Sequence, residues 1–393
     1  MMYTSIFLIV FAVFCISCSP PSNPLEFIIN TNYDLKIVAK DSDHSVKILY
    51  TQIYRDSLDQ PHFIRFGYNA NDSTYFYPAS TVKFPAVLIA LEKMKRLGIP
   101  SSARIEIDSA YSRQSVVRID STSSDLKPSI LHYAKKIMLV SDNDAYNRLY
   151  EFIGLDTFNE VLTDKGYLNT RITHRLNVSR SSDENAHTNP LRLFDGENLL
   201  FEQPLRKAKR SYASKELILR GKGYIKEGEL ISEPFDFTNK NDFSITDQHQ
   251  MMQAFIYPNS FPGYAFDITA EDKDSVLKFM SIEPQYSGIE AYSDTTKYWD
   301  SFVKFLMFGS KPDSKIPPFI KIYNKIGLAY GFAIDNAYIK DSKHNIEFFL
   351  TAVIQTNSNE IYNDNDYEYE DIALPFLEQL GQAVYEYELN RIQ

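Results

Sequence analysis

Residues 77–90 read Tyr77-Pro78-Ala79-Ser80-Thr81-Val82-Lys83-Phe84-Pro85-Ala86-Val87-Leu88-Ile89-Ala90. A polar, strand-like run ends at Pro78, and an almost wholly apolar helix follows, the mark of a helix buried on nearly every side. Ser80 and Lys83 stand at the join. Three residues apart on a helix they share a face, so the amine can reach the hydroxyl. A serine becomes a nucleophile when a neighbouring base takes its proton. An amine in apolar surroundings can be that base, because burial disfavours its charged form. The helix is expected to run to about Leu97, with Gly98 and Pro100 as stop signals.

Spacing alone does not decide the matter. Ser-x-x-Lys occurs at Ser80/Lys83, Ser124/Lys127, Ser275/Lys278 and Ser301/Lys304. Ser124 lies in a polar tract before Pro128, and the last two pairs sit in amphipathic helical patterns. Only Ser80 opens an apolar helix. Taken by itself it reads as a helix N-cap before it reads as a nucleophile.

The 393-residue chain has material for one large or two ordinary domains. It is 44% apolar and 23% charged, with 27 Tyr and 27 Phe against a single Trp, a globular composition. A net charge of −10 argues against a nucleic-acid binder. Both cysteines, Cys15 and Cys18, lie near the N-terminus, which excludes a disulfide framework and a cysteine-based metal site. Seven scattered histidines form no His-Glu-x-x-His motif, and no glycine-rich phosphate loop is present. No cofactor and no metal are expected.

Ile6 to Phe14 is an apolar run too short to span a bilayer, followed by Cys18 and a Pro/Ser-rich stretch from Ser19 to Pro24. This is the layout of a secretory signal peptide. Cys18 after a small residue resembles the lipidation site of bacterial lipoproteins, although no Lys or Arg precedes the apolar run. The organisation expected is a signal peptide over 1–18, a linker over 19–30 and one domain over 31–390. Export, a lipid anchor on Cys18 in a bacterial membrane and a monomeric state go with it. The alternative is an ordinary signal peptide cleaved nearby.

Further along, Leu25 to Ala39 suggests a short helix, and Ser45–Tyr54 and His62–Tyr68 alternate as half-buried strands do. Helical patterns cover Ser129–Val140 and Ala145–Ile153, and Ser141-Asp142-Asn143 falls at their junction, where Asp and Asn serve as caps. Another helix from Asp156 stops at Gly166, and 167–190 is loop-like. Mixed strand signals follow to 243, with the basic cluster Arg206-Lys207-Ala208-Lys209-Arg210, read as a solvated face ahead of an anion-contacting one. Helices are expected over Thr246–Ile256, Thr269–Met280 and Lys297–Phe308. Phe319–Ile326, Phe332–Ile339 and Ile346–Gln355 read as three strands before a final helix from Asp371 to about Glu388. Strands at both ends of a helical middle imply an α+β fold.

Three motifs stand in one order: Ser80-Thr81-Val82-Lys83, Ser141-Asp142-Asn143, and Lys325-Ile326-Gly327 on a strand. The set resembles the S-x-x-K, S-D-N and K-T-G motifs of class A β-lactamases and penicillin-binding proteins. The resemblance covers about residues 30–390, with extra segments near 190–243 and 284–315. It implies an antiparallel sheet of N- and C-terminal strands packed on a mostly helical region. It also implies an acyl-enzyme on Ser80, with Lys83 as its base, kept neutral in part by the second cation Lys325, and Ser141 as proton relay. Asn143 and Lys325 would bind substrate, and the N–H groups of Ser80 and Leu328 would form the oxyanion hole. Gly327 would let the substrate backbone approach the strand.

Two positions depart from that pattern. Ile326 replaces the usual Thr or Ser, removing a hydroxyl that helps hold a substrate carboxylate. Class A β-lactamases carry a deacylating glutamate shortly before a Leu-Asn pair. Leu176-Asn177 matches the pair, but Thr173-His174-Arg175 supplies no carboxylate, leaving Asp183 or Glu184 to fold back. Hydrolysis of a β-lactam or related amide is the leading expectation. A DD-peptidase-like, esterase-like or slowly deacylating penicillin-binding enzyme acting on a small or peptidoglycan-like substrate is the second. A non-catalytic surface lipoprotein is the third.

Overall fold

The computed structural model describes residues 23–392. The apolar run, Cys18 and the start of the linker lie outside them. The strands are β1 (Lys47–Arg55), β2 (Pro61–Tyr68), whose burial alternates, and the three long strands β3 (Ile320–Ala329), β4 (Phe332–Asp341) and β5 (Ile346–Gln355). They form one antiparallel sheet in the order β3-β4-β5-β1-β2. The chain ends therefore meet in the middle of the sheet, as the α+β reading requires.

Both faces of the sheet are covered, which is why β4 and β5 are buried almost throughout. On one face Ile48, Tyr50, Phe348 and Leu350 pack with helices α1 (Pro24–Thr31), α2 (Tyr33–Lys40) and α10 (Leu374–Ile392). On the other, Tyr338 and Phe349 join a larger core whose centre is α3 (Lys83–Leu97). Adjacent strand residues point to opposite faces, so Phe348 and Phe349 belong to different cores. Around α3 stand α4 (Ile130–Val140), α5 (Asn143–Ile153) and α6 (Leu155–Asp164), with the single turn α7 (Ser182–Ala186) farther along. Helices α8 (Ile245–Ile256) and α9 (Ala270–Ser281) complete this side. Each residue from Phe84 to Leu91 is buried. Gly98, at φ +67°, closes α3 in the left-handed conformation that glycine adopts freely.

Several expectations need correction. Helix α1 (Pro24–Thr31) lies largely inside the segment read as linker. Leu25 and Ile29 are fully buried in the core shared with β1 and α10, so that apolar spacing is structural. The single helix expected over 25–39 is two, because Asn32 turns extended and its side chain caps α2 by accepting from Leu35 N at 3.1 Å. Residues 297–308 form turns, not a helix. The carboxylate of Asp335 accepts the backbone N–H groups of Phe305 and Leu306 at 3.1 and 3.0 Å. Lys304 donates to Met280 O and Asn324 Oδ1. These contacts hold the segment against β3 and β4 in a form no helix could take.

Within 190–243 the strands Leu191–Asp195 and Asn198–Gln203 join Arg104–Ile107 in a three-stranded sheet. A hairpin of Gly223–Lys226 and Glu229–Ile231 pairs with Ile361–Tyr362 in parallel. That pairing braces the loop between β5 and α10, which carries a wall of the site described next.

Candidate active site

Ser80 sits in a 3-10 turn, Ala79–Val82, that runs directly into α3. Thr81 ties the turn down: its N–H and hydroxyl both donate to Pro78 O, at 3.1 and 2.7 Å. Ala79 holds φ +49°, an uncommon conformation for a residue with a side chain. The Ser80 hydroxyl caps nothing, since neither the turn nor α3 has a side-chain cap. Its partner is Lys83 Nζ at 2.8 Å.

Lys83 is fully buried at the first position of α3. Besides Ser80, its Nζ lies 2.8 Å from Asn143 Oδ1, 2.5 Å from the Ser141 carbonyl and 3.2 Å from Ser141 Oγ. Burial pushes its pKa from 10.5 down to about 7, opposed by the negative charge of Asp142. A neutral amine has two N–H donors and a lone pair. Asn143 Oδ1 and Ser141 O can take the donors, leaving the lone pair to accept from Ser80.

The Ser-Asp-Asn turn supplies these oxygens by its backbone shape. Ser141 ends α4 in the left-handed region at φ +57°, and Asp142 caps α5 by accepting from Ala145 N at 2.7 Å. Capping Asp142 places Asn143 at the first position of α5, toward Lys83.

Lys325 reaches the same point from β3. Its Nζ is buried, donating to Ser141 Oγ at 2.8 Å and to Ile326 O at 2.9 Å. The two lysines meet at Ser141. Lys325 is pushed well below its ordinary pKa by burial and then by the charge of Lys83, whereas the fall at Lys83 comes from burial. Gly327 also packs against the turn that carries Ser80. A Cβ there would meet Pro78 O at 2.7 Å and Ala79 Cβ at 3.2 Å. The close approach it permits is that of the protein's own Ser80 turn. Ile326 is buried and packs in the core under α10, and Leu328 is exposed at the edge of the cleft.

Ser80, Asn143 and Leu328 open on a cleft of about 460 Å³. Its other walls were not singled out from the sequence: Tyr77 before the turn, Tyr330 in the β3–β4 turn, and Asn363, Asn365, Tyr367 and Tyr369 from the loop after β5. Gly331 N donates to Tyr369 Oη at 2.8 Å, and Asn363 N to Tyr367 Oη at 2.9 Å, so loop and turn are joined. The signal was present as an unusual run of Asn, Asp and Tyr over 362–369.

No Asp or Glu lines this cleft among the described residues. Asp183 faces Tyr111 and Lys207, the latter at 3.0 Å. Glu184 closes the capping box of α7 with Ser181 and accepts from Ser112. Glu151, under the loop, is locked to Arg175 at 2.7 Å and accepts from Asn189 N at 2.8 Å. The other three Ser-x-x-Lys pairs lie outside the cleft. Among the described residues no cluster of His, Cys, Asp and Glu could hold a metal ion, and no helix is long and apolar enough to cross a membrane.

A model of the β-lactamase enzyme family matches residues 35–215, a span that includes the Ser80 turn and the Ser-Asp-Asn turn. Over that span the chain resembles the penicillin-recognising serine enzymes. The fold agrees well beyond the matched span. The chromosome-encoded β-lactamase of Vibrio parahaemolyticus superposes with a TM-score of 0.51 over 91% of this chain and 98% of that one, at 14% identity. PBP-A gives 0.52 over 93% and 99%, at 12% identity. A β-lactamase from Xanthomonas campestris pv. campestris gives 0.50 over 92% and 95%, also at 12%. Sequence comparison with curated proteins gives no match.

Proposed function

We propose that this chain is a serine hydrolase of the β-lactamase and penicillin-binding-protein group, that it works through an acyl-enzyme on Ser80 and that its substrates are β-lactams or related amides. The observation that carries the reading is the position of Lys83 Nζ, 2.8 Å from Ser80 Oγ and buried so that its pKa falls to about 7. Lys83 takes the hydroxyl proton as Ser80 Oγ bonds to the carbonyl carbon. The developing oxyanion is received by the N–H groups of Ser80 and Leu328, donors of a kind that typically contribute roughly 3–4 kcal/mol. As the C–N bond breaks, Ser141, between Lys83 and Lys325, passes a proton to the leaving nitrogen. Asn143 orients the substrate amide, and Lys325 attracts a substrate carboxylate. Water then cleaves the ester and restores Ser80.

The cleft wall favours one form of this reading. With Asp183 and Glu184 held elsewhere, no carboxylate among the described residues lines the cleft to activate water. The acyl-enzyme formed with a β-lactam is therefore long-lived, as in a penicillin-binding enzyme. The test is a chromogenic cephalosporin together with intact mass of the chain from residue 23, with and without Ser80→Ala. A stable one-to-one adduct with slow turnover supports this form, and fast turnover lost in Ser80→Ala supports a β-lactamase. Absence of any adduct with β-lactams or activated esters sinks the nucleophile.

The same reading includes one domain from about residue 24, export, and a lipid on Cys18, supported by the apolar run and small residue that precede that cysteine. Detergent phase partition of the full chain made in a bacterial host checks it. Wild type should enter the detergent phase and Cys18→Ala the aqueous phase; equal partition of the two refutes the anchor.

A further inference from the structure

Beside the Ser80 cleft lies a second cavity of about 460 Å³ that the chemistry above does not use. Its lining carries Arg180, Lys209, Arg210 and Lys240 against a single carboxylate, Asp183. That carboxylate is already neutralised by Lys207 at 3.0 Å. On a chain of net charge −10 this concentration of cations runs against the average. It also gives the Arg206–Arg210 cluster a direction, since its last residues face the cavity.

Two of the cations are half-buried and lack a carboxylate partner among the described residues. Arg180 donates to the Arg113 carbonyl. Lys240 Nζ lies over the rings of Phe235 and Tyr330, at 5.6 and 5.7 Å. Cations gathered on one concave surface without counter-ions raise the local concentration of anions. His174, on the same lining, is held near a pKa of 4 by burial and by the Lys240 charge, so it stays neutral.

The cavity and the cleft adjoin along one loop and through touching rings. Leu176 and Asn177 line the cleft while Val178 and Arg180, two and three residues on, line the cavity. Tyr77 of the cleft stacks on His174 of the cavity, with ring centres 6.3 Å apart. Tyr330, over which Lys240 sits, meets Tyr77 edge-on at 5.0 Å. The same loop lines the cleft together with Asn143, the residue proposed above to orient the substrate amide.

We propose that this cavity is a subsite for a carboxylate or phosphate carried on the acyl portion of the substrate, remote from the carbonyl that Ser80 attacks. The proposal rests on the acyl-enzyme reading and narrows its substrate class to acyl groups with a distal anion. Binding there would draw the acyl chain across Tyr77 and Tyr330, leaving Lys325 free for a different group.

The test uses pairs of activated aryl esters of graded acyl length, one ending in a carboxylate and the other in its methyl ester. Acylation rates are read by intact mass at low ionic strength. At one length the carboxylate should acylate at least about tenfold faster, the scale of one charge-assisted hydrogen bond. That ratio should fall toward one in Lys240→Gln and in Arg210→Gln, with added salt, and with millimolar inorganic phosphate as competitor. Equal rates at every length, or a preference that survives both substitutions, overturns the proposal. Thermal stabilisation by inorganic phosphate without any ester preference makes the cavity a site for a free anion and overturns the substrate-linked form. Absence of an adduct from both esters instead removes the nucleophile reading, and this proposal with it.

Discussion

The protonation state of Lys83 should set the rate of acylation, and Asp142 offers a way to move it. At an ordinary lysine pKa of 10.5, roughly one amine in three thousand would be neutral at pH 7. Held at about 7, half of the population is neutral there. The difference corresponds to about 5 kcal/mol against the buried ammonium, at ~1.4 kcal/mol per tenfold. If the neutral amine is the base, acylation is near its plateau above about pH 8 and falls close to tenfold per pH unit below about 6. The charge on Asp142 favours the ammonium, so Asp142→Asn should shift this limb to lower pH. Asn caps a helix as well as Asp does, so α5 keeps its start. Asp142 is partly exposed and also near Lys136 at 3.8 Å. Its screened effect is of order 1 kcal/mol, a shift of roughly 0.5–1 pH unit. Rapid-quench acylation by a β-lactam that does not itself titrate between pH 5.5 and 8.5 reads both profiles. A flat profile, or an alkaline shift in Asp142→Asn, would refute Lys83 as the base.

Three further outcomes follow from the packing. Gly327→Ala places a methyl 2.7 Å from Pro78 O, so the Ser80 turn must move; acylation should drop on the order of 100-fold with little change in melting temperature. Arg175→Met leaves Glu151 buried without its partner and removes donors from the Glu184 and His187 carbonyls, and should cost about 3–5 kcal/mol in urea unfolding. Leu88→Ala opens a cavity in the centre of α3's core and should cost about 2–5 kcal/mol by the same measurement.

What was legible in the sequence is what depends on local pattern. The burial of α3 follows from its unbroken apolar run, and the strands at both ends from alternation and length. The Ser-Asp-Asn turn follows from cap chemistry at a helix junction. What was not legible depends on contacts distant in sequence. The Lys297–Phe308 stretch has a helical apolar pattern, but Asp335 and Asn324 on the strands bind it in another shape. Leu25 and Ile29 looked like part of a linker until α10 and β1 were there to cover them. Gly327 is glycine because of Pro78, nearly 250 residues earlier. The tyrosine and asparagine wall from 363–369 reaches Ser80 only because Ile361–Tyr362 is pinned to a hairpin near 223.

The central claim is that Ser80 Oγ carries the acyl group. Tryptic mapping after exposure to a penicillin tests it most directly, because cleavage after Arg65 and Lys83 isolates Ser80 with one other serine, Ser73. Fragmentation of that peptide should place the added mass of the intact penicillin on Ser80, and the mass should be absent from Ser80→Ala. Acyl mass on Ser73, on a peptide bearing Ser124, Ser275 or Ser301, or undiminished in Ser80→Ala would contradict the account.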